Sequence, residues 1–460
     1  MSKVSTPPDR FDLEVGTLII GAGAGGLVAA LAATERGEDV LVIEADALPS
    51  GSTALSAGLI PAAGTKTQAT AGIEDSPAIF ARDIQAKAHG ENDPRLVGAM
   101  ARVSARVIDW LTDTHHLPLS VVTDFDYPGH SRRRMHGLPS RSGRDLVDAL
   151  RVAAENAGID IICERRAVGL YAEGQTIQGV RAERPDGGSE TIACQRLILA
   201  CNGFGGNRDM VADLIPDIRD ALWFGHDGNR GEAVQWGEEL GAQTGHLASY
   251  QGHGNVAQPH GILITWAVIM EGGIQVNLKG ERFWNESQGY SEAARMVLAQ
   301  PEGVAFAIFD ARIAAIARQF EDFKQAEAQG AIRWAASLSK LAETTGLPED
   351  ALSRSITDIP ASGEDAFGRS WDGPALQPPF AAVKVTGALF HTQGGLVVDP
   401  DNARVLQRSG AAFDNLFAVG GAACGVSGSG DSGYLSGNGL LSAVTLGWLA
   451  GQAGGSNQPR

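Results

Sequence analysis

The chain has 460 residues, of which 43% are hydrophobic and 20% are charged, and its formal net charge is −17. This composition is that of a globular protein long enough to bury a sizeable core in two lobes, and it excludes a largely disordered chain. The acidic balance argues against a nucleic-acid partner or an anionic membrane surface, because both require a basic footprint.

The residues before Phe11 are polar and contain prolines, without the apolar core of a signal peptide, so we expect a cytoplasmic protein. The apolar stretch from Leu13 to Ala33 has glycines at its centre and predicts a strand and a helix, with no membrane insertion. The cysteines lack paired metal spacing and the density of a disulfide scaffold, so we expect buried thiols, a reducing compartment and no metal site. They are Cys163, Cys194, Cys201 and Cys424.

The first predicted element is a strand from Leu13 to Ile20, which leads into a glycine turn, Gly21 to Gly26, and a helix over Leu27 to Thr34. A second strand, Asp39 to Ile43, ends at Glu44, about 20 residues after the turn, where a dinucleotide fold has a carboxylate for the ribose hydroxyls. A purely structural glycine turn is the alternative. The register of strand, helix and terminal carboxylate favours dinucleotide binding.

Small residues from Gly51 to Gly64 predict a loop that wraps the cofactor. Apolar residues at helical spacing predict a helix over Arg141 to Gly158. Three short strands are predicted after it, over Ile159 to Cys163, Ala167 to Tyr171 and Ile177 to Ala182. A buried strand, Leu197 to Cys201, then ends in a second glycine turn, Asn202 to Asn207, which would return the chain to the same cofactor.

The composition changes between about Ala248 and Pro379, where tryptophans and helical patterns are frequent, and this predicts an inserted domain. Short strands over Leu396 to Val398 and Leu416 to Val419 lead back to the first lobe. We therefore predict a first cofactor-binding segment over residues 1–247, a substrate domain over 248–379 and a second cofactor-binding segment over 380–460. The substrate is expected between the lobes.

The run from Gly420 to Ala443 is dense in glycine and contains one tyrosine, Tyr434. Glycine lets the main chain approach a flat ligand closely, and the apolar residues from Leu440 onward predict the start of a buried helix. The positive end of that helix would suit a flavin ring, which becomes anionic on reduction. Ser436 is either part of the site or a cap for the helix.

Several separated motifs together resemble the flavoproteins of the fumarate reductase and 3-ketosteroid dehydrogenase superfamily, over nearly the whole chain. The motifs are Gly21 to Gly26 with Glu44, Gly51 to Gly58, Asn202 to Asn207, Gly280 to Glu286 (Gly-Glu-Arg-Phe-Trp-Asn-Glu), His391 to Gly395, and Ser436 to Leu440. The resemblance implies an α/β fold, a Rossmann-like FAD-binding domain built from both chain ends with an inserted α+β cap domain, and non-covalent FAD.

The resemblance also implies which residues bind FAD. The expected cofactor contacts are Gly21, Gly23, Ala24, Gly26, Glu44, Ala45, Ser52, Thr53, Ala57, Gly58, Val168, Ala200, Gly203, Gly421, Asn438, Leu440 and Leu441.

This chain departs from the fumarate reductases at their acid-delivery route and at their carboxylate clamp. Tyr290 stands where that family is expected to have an arginine proton donor, and Tyr434 stands where it has an arginine that holds a carboxylate. Trp266 and Ile269 occupy the positions of the family's Glu and Arg relay. Tyrosines at the first two positions instead resemble the ketone-desaturating branch, which includes 3-ketosteroid and 4-oxocyclohexanecarboxylate dehydrogenases.

Desaturation beside a carbonyl removes an α proton and a β hydride, so the site needs a base, an oxyanion stabiliser and a flavin to accept the hydride. Tyr290 is the candidate base, although a phenol must be activated for this task. Tyr434 is the candidate donor to the carbonyl oxygen, and Ser436 would orient it or relay a proton. His391 and His253 would each hold a carbonyl or carboxylate, or serve only as structural histidines.

The substrate is therefore predicted to be a cyclic ketone, either a 3-ketosteroid or a small oxocyclohexane such as 4-oxocyclohexanecarboxylate, with an unidentified electron acceptor. The alternatives are a flavin reductase of an activated alkene and a non-catalytic flavin-binding electron-transfer protein. Asn285 and Glu286 are expected to brace the inserted domain. The basic cluster from Arg132 to Arg134 would be a counter-charge at the mouth of the site or a solvated surface loop, and the surface loop is favoured.

Overall fold

The computed structural model describes residues 3–454. The chain forms two compact units, the first from Met1–Leu214, Gly225–Tyr250 and His391–Arg460, and the second from Ile215–Phe224 and Gln251–Phe390. The predicted segments 1–247, 248–379 and 380–460 differ from these units at both junctions, and the first and third extend outside the described residues.

The strands, numbered in chain order, are β1 (Val4–Ser5), β2 (Leu13–Ile20), β3 (Val40–Ile43), β4 (Ile60–Pro61), β5 (Ser120–Val121), β6 (Met135–Gly137), β7 (Asp160–Ile162), β8 (Arg166–Glu173), β9 (Thr176–Glu183), β10 (Ser189–Leu199), β11 (Leu222–Trp223), β12 (Thr244–Gly245), β13 (Tyr250–Ala257), β14 (Ile262–Leu263), β15 (Ile274–Val276), β16 (Val304–Asp310), β17 (Arg333–Ala335), β18 (Gly363–Glu364), β19 (Ser370–Trp371), β20 (Phe380–Thr392), β21 (Gly395–Leu396), β22 (Arg404–Leu406) and β23 (Ala412–Ala418). The α-helices are α1 (Ala24–Thr34), α2 (Gly51–Ala54), α3 (Lys66–Thr70), α4 (Pro77–Lys87), α5 (Pro94–Asp113), α6 (Gly143–Asn156), α7 (Arg208–Leu214), α8 (Glu232–Leu240), α9 (Ala267–Met270), α10 (Tyr290–Leu298), α11 (Ala311–Ala317), α12 (Glu321–Ala328), α13 (Leu338–Thr345), α14 (Glu349–Thr357) and α15 (Asn438–Gln452).

The first unit is built on a sheet in the order β1-β8-β9-β10-β2-β3-β7, with β23 also paired to β10. The strands β10, β2, β3 and β7 run parallel, as does β23 beside β10. In this register Leu199 is opposite both Ile20 and Ala418, and Ile20 is opposite Ile43. The carboxyl ends of four parallel strands therefore lie level at one edge, where ligands bind in folds of this kind.

The two ends of the chain meet in this unit through α1 and α15. A β carbon at Gly447 of α15 would lie 2.5 Å from the carbonyl oxygen of Gly25 in α1, and one at Gly451 would lie 2.5 Å from that of Ala29. The glycines allow a backbone approach that larger residues would prevent. The alanine-rich α1 is almost entirely buried as a result.

The second unit contains a seven-stranded sheet ordered β14-β13-β20-β16-β15, with β11 and β17 also paired to β20. The long strand β20 runs antiparallel to β16 along seven residue pairs from Val304–Thr386 to Asp310–Phe380. Short helices pack on this sheet and close a separate apolar core that includes Phe306, Phe309 and Phe323. The α/β class and the Rossmann-like unit with an α+β insertion are confirmed.

The stretch from Leu13 to Ala33 is a strand and a helix separated by a glycine turn, as predicted. Within the described part of the chain, no helix has both the length and the apolar character needed to cross a membrane. The helix predicted from Arg141 begins at Gly143, because the Ser142 hydroxyl accepts a hydrogen bond from the Asp145 amide and caps it.

Other predicted elements also differ from the structure. The predicted loop from Gly51 to Gly64 contains the short helix α2 and strand β4. The strand predicted over Leu197 to Cys201 is the end of the longer β10, which stops at Leu199. The strand predicted over Leu396 to Val398 is Gly395–Leu396.

Candidate active site

The first glycine turn places α1 directly against the end of β2. Gly21 has a φ of +105°, and a β carbon there would lie 2.5 Å from the carbonyl oxygen of Ala200. A β carbon at Gly26 would overlap the carbonyl oxygen of Gly21. Both positions therefore require glycine, one for its backbone conformation and the other for close packing of the helix on the strand.

The start of α1 is arranged for an anion. Its N-cap residue, Gly23, has no side chain to bond the first amides, and the first turn has no acidic residue. The Ala24 amide donates to the Thr53 hydroxyl at 3.0 Å, which fixes the neighbouring segment beside the helix. The positive end of a helix bordered by glycine fits the diphosphate of a dinucleotide.

Glu44 follows β3 at the same edge and is 8% exposed. Its carboxylate accepts hydrogen bonds from the Ala22 amide at 2.7 Å and the Asp46 amide at 3.0 Å. Burial raises the pKa of this carboxyl, against the opposing effect of those amides. A carboxylate held at the end of the second strand can accept hydrogen bonds from ribose hydroxyls.

Sequence analysis missed a polar pair next to Glu44. His226 Nε2 donates to Asp46 Oδ2 at 2.7 Å, and the Ser50 hydroxyl donates to the same oxygen at 2.8 Å. The only sequence signal was the position of Asp46, two residues beyond the terminal carboxylate of the second strand. His226 comes from a segment distant in sequence, so the pair becomes visible only after folding.

The second glycine turn joins segments from both chain ends. Asn202 has a φ of +67°, and its side-chain amide donates to the Ser52 hydroxyl at 2.8 Å. A β carbon at Gly203 would overlap the Thr392 hydroxyl, and one at Gly421 would overlap Asn202 Oδ1. This turn therefore returns the chain to the edge where the first turn lies, as the sequence predicted.

The other predicted cofactor residues lie on or beside the same elements of the first unit. Gly58 has a φ of +64°, and a β carbon there would be 2.7 Å from the Ser142 carbonyl oxygen. Val168 lies on β8, and the amide of Arg165, just before that strand, donates to the Glu44 carbonyl oxygen at 2.7 Å. The remaining positions are Ala45, Ala57, Ala200, Asn438, Leu440 and Leu441. With its bare turns, helix start and buried carboxylate, this edge fits FAD.

Tyr434 lies in the glycine run before α15 and is 8% exposed. Burial raises the pKa of its phenol to about 12, although the backbone amides of Gly437 and Gly439 donate to the phenol oxygen and act in the opposite direction. The phenol therefore keeps its proton at neutral pH. Because its oxygen accepts from two amides, its O–H is a stronger hydrogen-bond donor.

Ser436 is not the N-cap residue of α15. The N-cap residue is Gly437, with a φ of +86° and no side-chain cap. Ser436 is one residue earlier, is 8% exposed, and its carbonyl oxygen accepts from His130 Nε2 at 2.9 Å. His130 therefore anchors the run that carries Tyr434.

His391 lies against Tyr434, with ring centroids 5.5 Å apart and ring planes at 75°. Burial lowers the pKa of His391 to about 4, with a smaller opposing effect of the Thr392 carbonyl. The imidazole is therefore neutral at pH 7. Its Nδ1 is 2.7 Å from Gln393 Nε2, a contact that the sequence analysis did not anticipate.

In the second unit, His253 and Tyr290 stack, with centroids 5.1 Å apart and planes at 18°. Phe390 stacks on the other side of His253 at 5.5 Å, and Trp266 meets His253 edge to face at 5.6 Å. Burial lowers the pKa of His253 to about 3, so this imidazole is also neutral. Tyr290 is half-buried and is the first residue of α10, directly after Gly289.

The Arg-Phe-Trp-Asn-Glu motif forms a buried charge network in the second unit. Arg282 bonds Glu286 through both Nε (3.0 Å) and Nη2 (2.7 Å), and Arg369 bonds the same carboxylate at 3.1 Å. Arg369 also donates to the Ile269 carbonyl oxygen at 2.7 Å, and Asp365 accepts from Arg282 at 2.7 Å. Glu286 thus ties the motif to the helix that follows Trp266. Sequence analysis missed Arg369 and Asp365.

The three arginines from Arg132 to Arg134 differ in their exposure to solvent. Arg132 and Arg133 are exposed, as expected of a surface loop. For Arg134 that interpretation was wrong, because this residue is 1% exposed and pairs with Asp75 at 2.9 Å and Asp83 at 2.5 Å. Its charge is neutralised inside the first unit.

Comparison with known proteins gives a match to one family model and relatives of several activities. The FAD binding domain family matches residues 16–440. A probable fumarate reductase of Shewanella frigidimarina is 31% identical, over 94% of this chain and 74% of that protein. A 4-oxocyclohexanecarboxylate 2-dehydrogenase of Sinomonas cyclohexanicum is 25% identical, over 98% of this chain and 93% of that protein.

The similar solved structures include a fumarate reductase and a ketosteroid dehydrogenase. The open conformation of a flavocytochrome c3 fumarate reductase superposes with a TM-score of 0.81 at 29% identity, covering 96% of this chain and 78% of the other. A 3-ketosteroid-Δ4-(5α)-dehydrogenase from Rhodococcus jostii RHA1 has a TM-score of 0.78 at 23% identity, covering 98% and 99%. The second likeness is one of fold.

Proposed function

We propose, from the premise that this chain belongs to the FAD binding domain family and is an FAD-dependent oxidoreductase, that it desaturates a cyclic ketone at the bond beside the carbonyl. The observation that carries this proposal is the neutral pair of Tyr434 and His391 in the first unit. Two uncharged hydrogen-bond donors, one buried and one half-buried, suit a carbonyl oxygen. A carboxylate would need a compensating cation in such a place.

Tyr434 is proposed to donate its hydroxyl proton in a hydrogen bond to the ketone oxygen. As the α proton leaves, negative charge develops on that oxygen, and a donor already polarised by the amides of Gly437 and Gly439 stabilises it. FAD, when bound, supplies the acceptor for the β hydride. The chain's own contribution is to hold the oxygen and keep it from water.

Tyr290 is proposed to remove the α proton. It occupies the first position of α10, at the positive end of the helix dipole. His253 is a poor candidate for the base, because its imidazole resists protonation down to about pH 3. Its proposed role is to orient the phenol ring through the stacking contact.

The substrate class follows from the ring contacts of the second unit. Phe224, Phe390, His253 and Tyr290 form one continuous stack with centroid spacings of 5.0, 5.5 and 5.1 Å. Flat, largely apolar faces suit a cyclic skeleton rather than a small dicarboxylate. The proposed substrates are a 3-ketosteroid or a small oxocyclohexane such as 4-oxocyclohexanecarboxylate.

The FAD is proposed to be held without a covalent bond, in a protein of the cytoplasm. Burial raises the pKa of Cys194 and of Cys424 to about 12, and raises that of Cys201 as well, so these thiols stay protonated and are poor nucleophiles. All four cysteines are free, which supports a reducing compartment.

The test is an anaerobic titration of the oxidised holoenzyme with a 3-ketosteroid, cyclohexanone, 4-oxocyclohexanecarboxylate and succinate. We expect at least one ketone to bleach the flavin absorbance, with formation of the matching enone. Bleaching by succinate alone would overturn the proposal. A flavin spectrum that no ketone or alkene changes would favour a non-catalytic flavoprotein.

A second candidate is reduction of an activated alkene. It is favoured by the 31% identity to a probable fumarate reductase, against 25% to the 4-oxocyclohexanecarboxylate dehydrogenase. An experiment that starts from chemically reduced flavin distinguishes the two functions. An alkene reductase would then be reoxidised by fumarate or a similar unsaturated acid, whereas the ketone desaturase would be reoxidised by its own enone product.

A further inference from the structure

Four side chains of the first unit form a continuous hydrogen-bonded chain that ends at His391. Asn438 Nδ2 donates to the Ser427 hydroxyl at 3.0 Å, and that hydroxyl donates to Gln393 Oε1 at 2.8 Å. Gln393 Nε2 then lies 2.7 Å from His391 Nδ1. Asn438 and Ser427 are each 1% exposed and Gln393 is 6% exposed, so water does not compete for these bonds.

The chain has a direction, and the direction fixes the imidazole. Ser427 and Gln393 each accept at one end and donate at the other, so Gln393 presents an N–H group to His391. His391 Nδ1 must then accept, and the ring proton of the neutral imidazole is carried on Nε2. The competing contact, from Nδ1 to the Thr392 carbonyl oxygen, is 3.4 Å long and is the weaker of the two.

We propose that Gln393 is a positioning residue that holds His391 as the Nε2–H tautomer, so that this ring donates a hydrogen bond to a substrate oxygen beside Tyr434. The part of this inference that names a substrate oxygen rests on the proposed function. The tautomer itself follows from the orientations of the Gln393 and Asn438 side-chain amides. A neutral N–H donor at this point requires an acceptor on the substrate, such as a carbonyl oxygen.

Gly439 lies against both proposed donors, Tyr434 and His391. Its amide donates to the Tyr434 oxygen, and a β carbon there would lie 3.2 Å from His391 Nε2 and 3.1 Å from Cε1. The imidazole edge therefore rests on the first turn of α15, in space that only glycine leaves open without displacing the ring. The N–H of His391 and the O–H of Tyr434 are thus fixed against the same residue.

The experiment uses oxidised, FAD-bound protein labelled with ¹⁵N-histidine, and it reads the tautomer from the two-bond ¹⁵N–¹H correlations. A spectrum of His391→Gln identifies the His391 signals. We expect the Nε2–H pattern in the wild type at pH 7. In Gln393→Met, which removes the donor at similar volume, the Nε2–H share should fall, and the ketone concentration for half-maximal flavin reduction should rise about tenfold.

Ser427→Ala is the second variant, since it frees the Gln393 amide to rotate while removing a single atom. It should shift the tautomer in the same direction as Gln393→Met. Gln407→Met is the matched control, because the Gln407 side chain accepts a hydrogen bond from the Ser409 hydroxyl and lies on a different segment. Its tautomer spectrum and ketone response should match the wild type.

An Nδ1–H pattern or an imidazolium pattern in the wild type would overturn the inference, as would an unchanged tautomer in both variants. The outcome is independent of the proposed reaction. If the Nε2–H pattern responds as expected but no ketone bleaches the flavin, the positioning role of Gln393 stands and the proposed ketone chemistry fails.

Discussion

The imidazole of His391 meets the phenol of Tyr434 edge to face, with ring centroids 5.5 Å apart. Both groups are neutral at physiological pH, because burial raises the pKa of the phenol to about 12 and lowers that of the imidazole to about 4. The fumarate reductases are expected to have an arginine that binds a carboxylate at the position of Tyr434. This chain has a pair of uncharged hydrogen-bond donors there instead. The first prediction tests one member of that pair.

Replacing Tyr434 with phenylalanine should lower the rate of flavin reduction by ketone about 10²–10³-fold, since one oxyanion donor is lost and the ring remains. FAD content should not change. The measurement is stopped-flow reduction under anaerobic conditions. Tyr171→Phe, in β8, is the matched control for removing a phenol. A Tyr434→Phe rate within a few-fold of the wild type would remove this residue from the mechanism.

Tyr290→Phe should abolish proton abstraction while FAD binding and the ring stack with His253 persist. Two measurements are informative: flavin reduction by ketone, and exchange of the ketone's α protons in D₂O with the oxidised enzyme. Both should fall to near background if the phenol is the base. Normal exchange with impaired reduction would assign Tyr290 to hydride positioning instead.

Parts of this fold could be predicted because their signals are local. Gly21, Gly26 and Glu44 lie in one short stretch, and the apolar strands that frame them keep a fixed register. The buried state of Arg134 could not be predicted in that way, since its carboxylate partners Asp75 and Asp83 come from another part of the chain. A run of three arginines has the same sequence pattern whether or not an ion pair buries one of them.

The same distinction applies within the site. Spacing from an Arg-Phe motif was enough to nominate Tyr290, and glycine density was enough to nominate Tyr434. The link from Asn438 through Ser427 to Gln393 joins two segments that only the folded first unit brings together. The direction of these hydrogen bonds depends on that packing, so it cannot be predicted from any single segment of the sequence.

Gly26→Ala should prevent FAD binding or folding, because the new β carbon would overlap the Gly21 carbonyl oxygen where α1 packs on the strand. Overpacking of this kind typically costs about 1–3 kcal/mol, and here the obstacle is rigid backbone. Thermal unfolding and the ratio of flavin to protein absorbance measure the effect. Gly373→Ala, where a β carbon would meet nothing within 4 Å, is the control. Equal flavin loading in both variants would contradict the packing argument.

Acid precipitation or heat denaturation should release all of the yellow chromophore into the supernatant as intact FAD. The reason is that the buried thiols of Cys194, Cys201 and Cys424 stay protonated and cannot attack the flavin. Chromatography of the supernatant identifies the released nucleotide. Yellow colour retained in the washed protein pellet would show a covalent bond, and peptide mass spectrometry would then locate it.

The free energy of unfolding should fall as the pH drops from about 6.5 to about 4, and His136 should account for a measurable part of that loss. This side chain is fully buried, its Nδ1 donates to the Arg134 carbonyl oxygen at 2.8 Å, and its Nε2 accepts from the Thr65 hydroxyl at 2.8 Å. Burial lowers its pKa to about 4. In that window the unfolded chain binds a proton that the folded protein excludes, so each pH unit costs about 1.4 kcal/mol for this one group.

In the His136→Asn variant, the free energy of unfolding should therefore decline less steeply between pH 6.5 and 4, whatever its value at neutral pH. The difference in slope should correspond to the uptake of about one proton on unfolding. Above pH 6.5, the contribution of His136 to the free energy of unfolding is constant. Below the pKa of His136 in the folded protein, its protonation causes no further loss of stability. Urea unfolding at half-unit pH steps gives the slope, and His116→Asn, at an exposed histidine with a φ of +59° that asparagine tolerates, is the matched control. Parallel curves for wild type and His136→Asn would mean that the buried imidazole is protonated in the folded protein, and the hydrogen bond from the Thr65 hydroxyl to Nε2 would then be excluded.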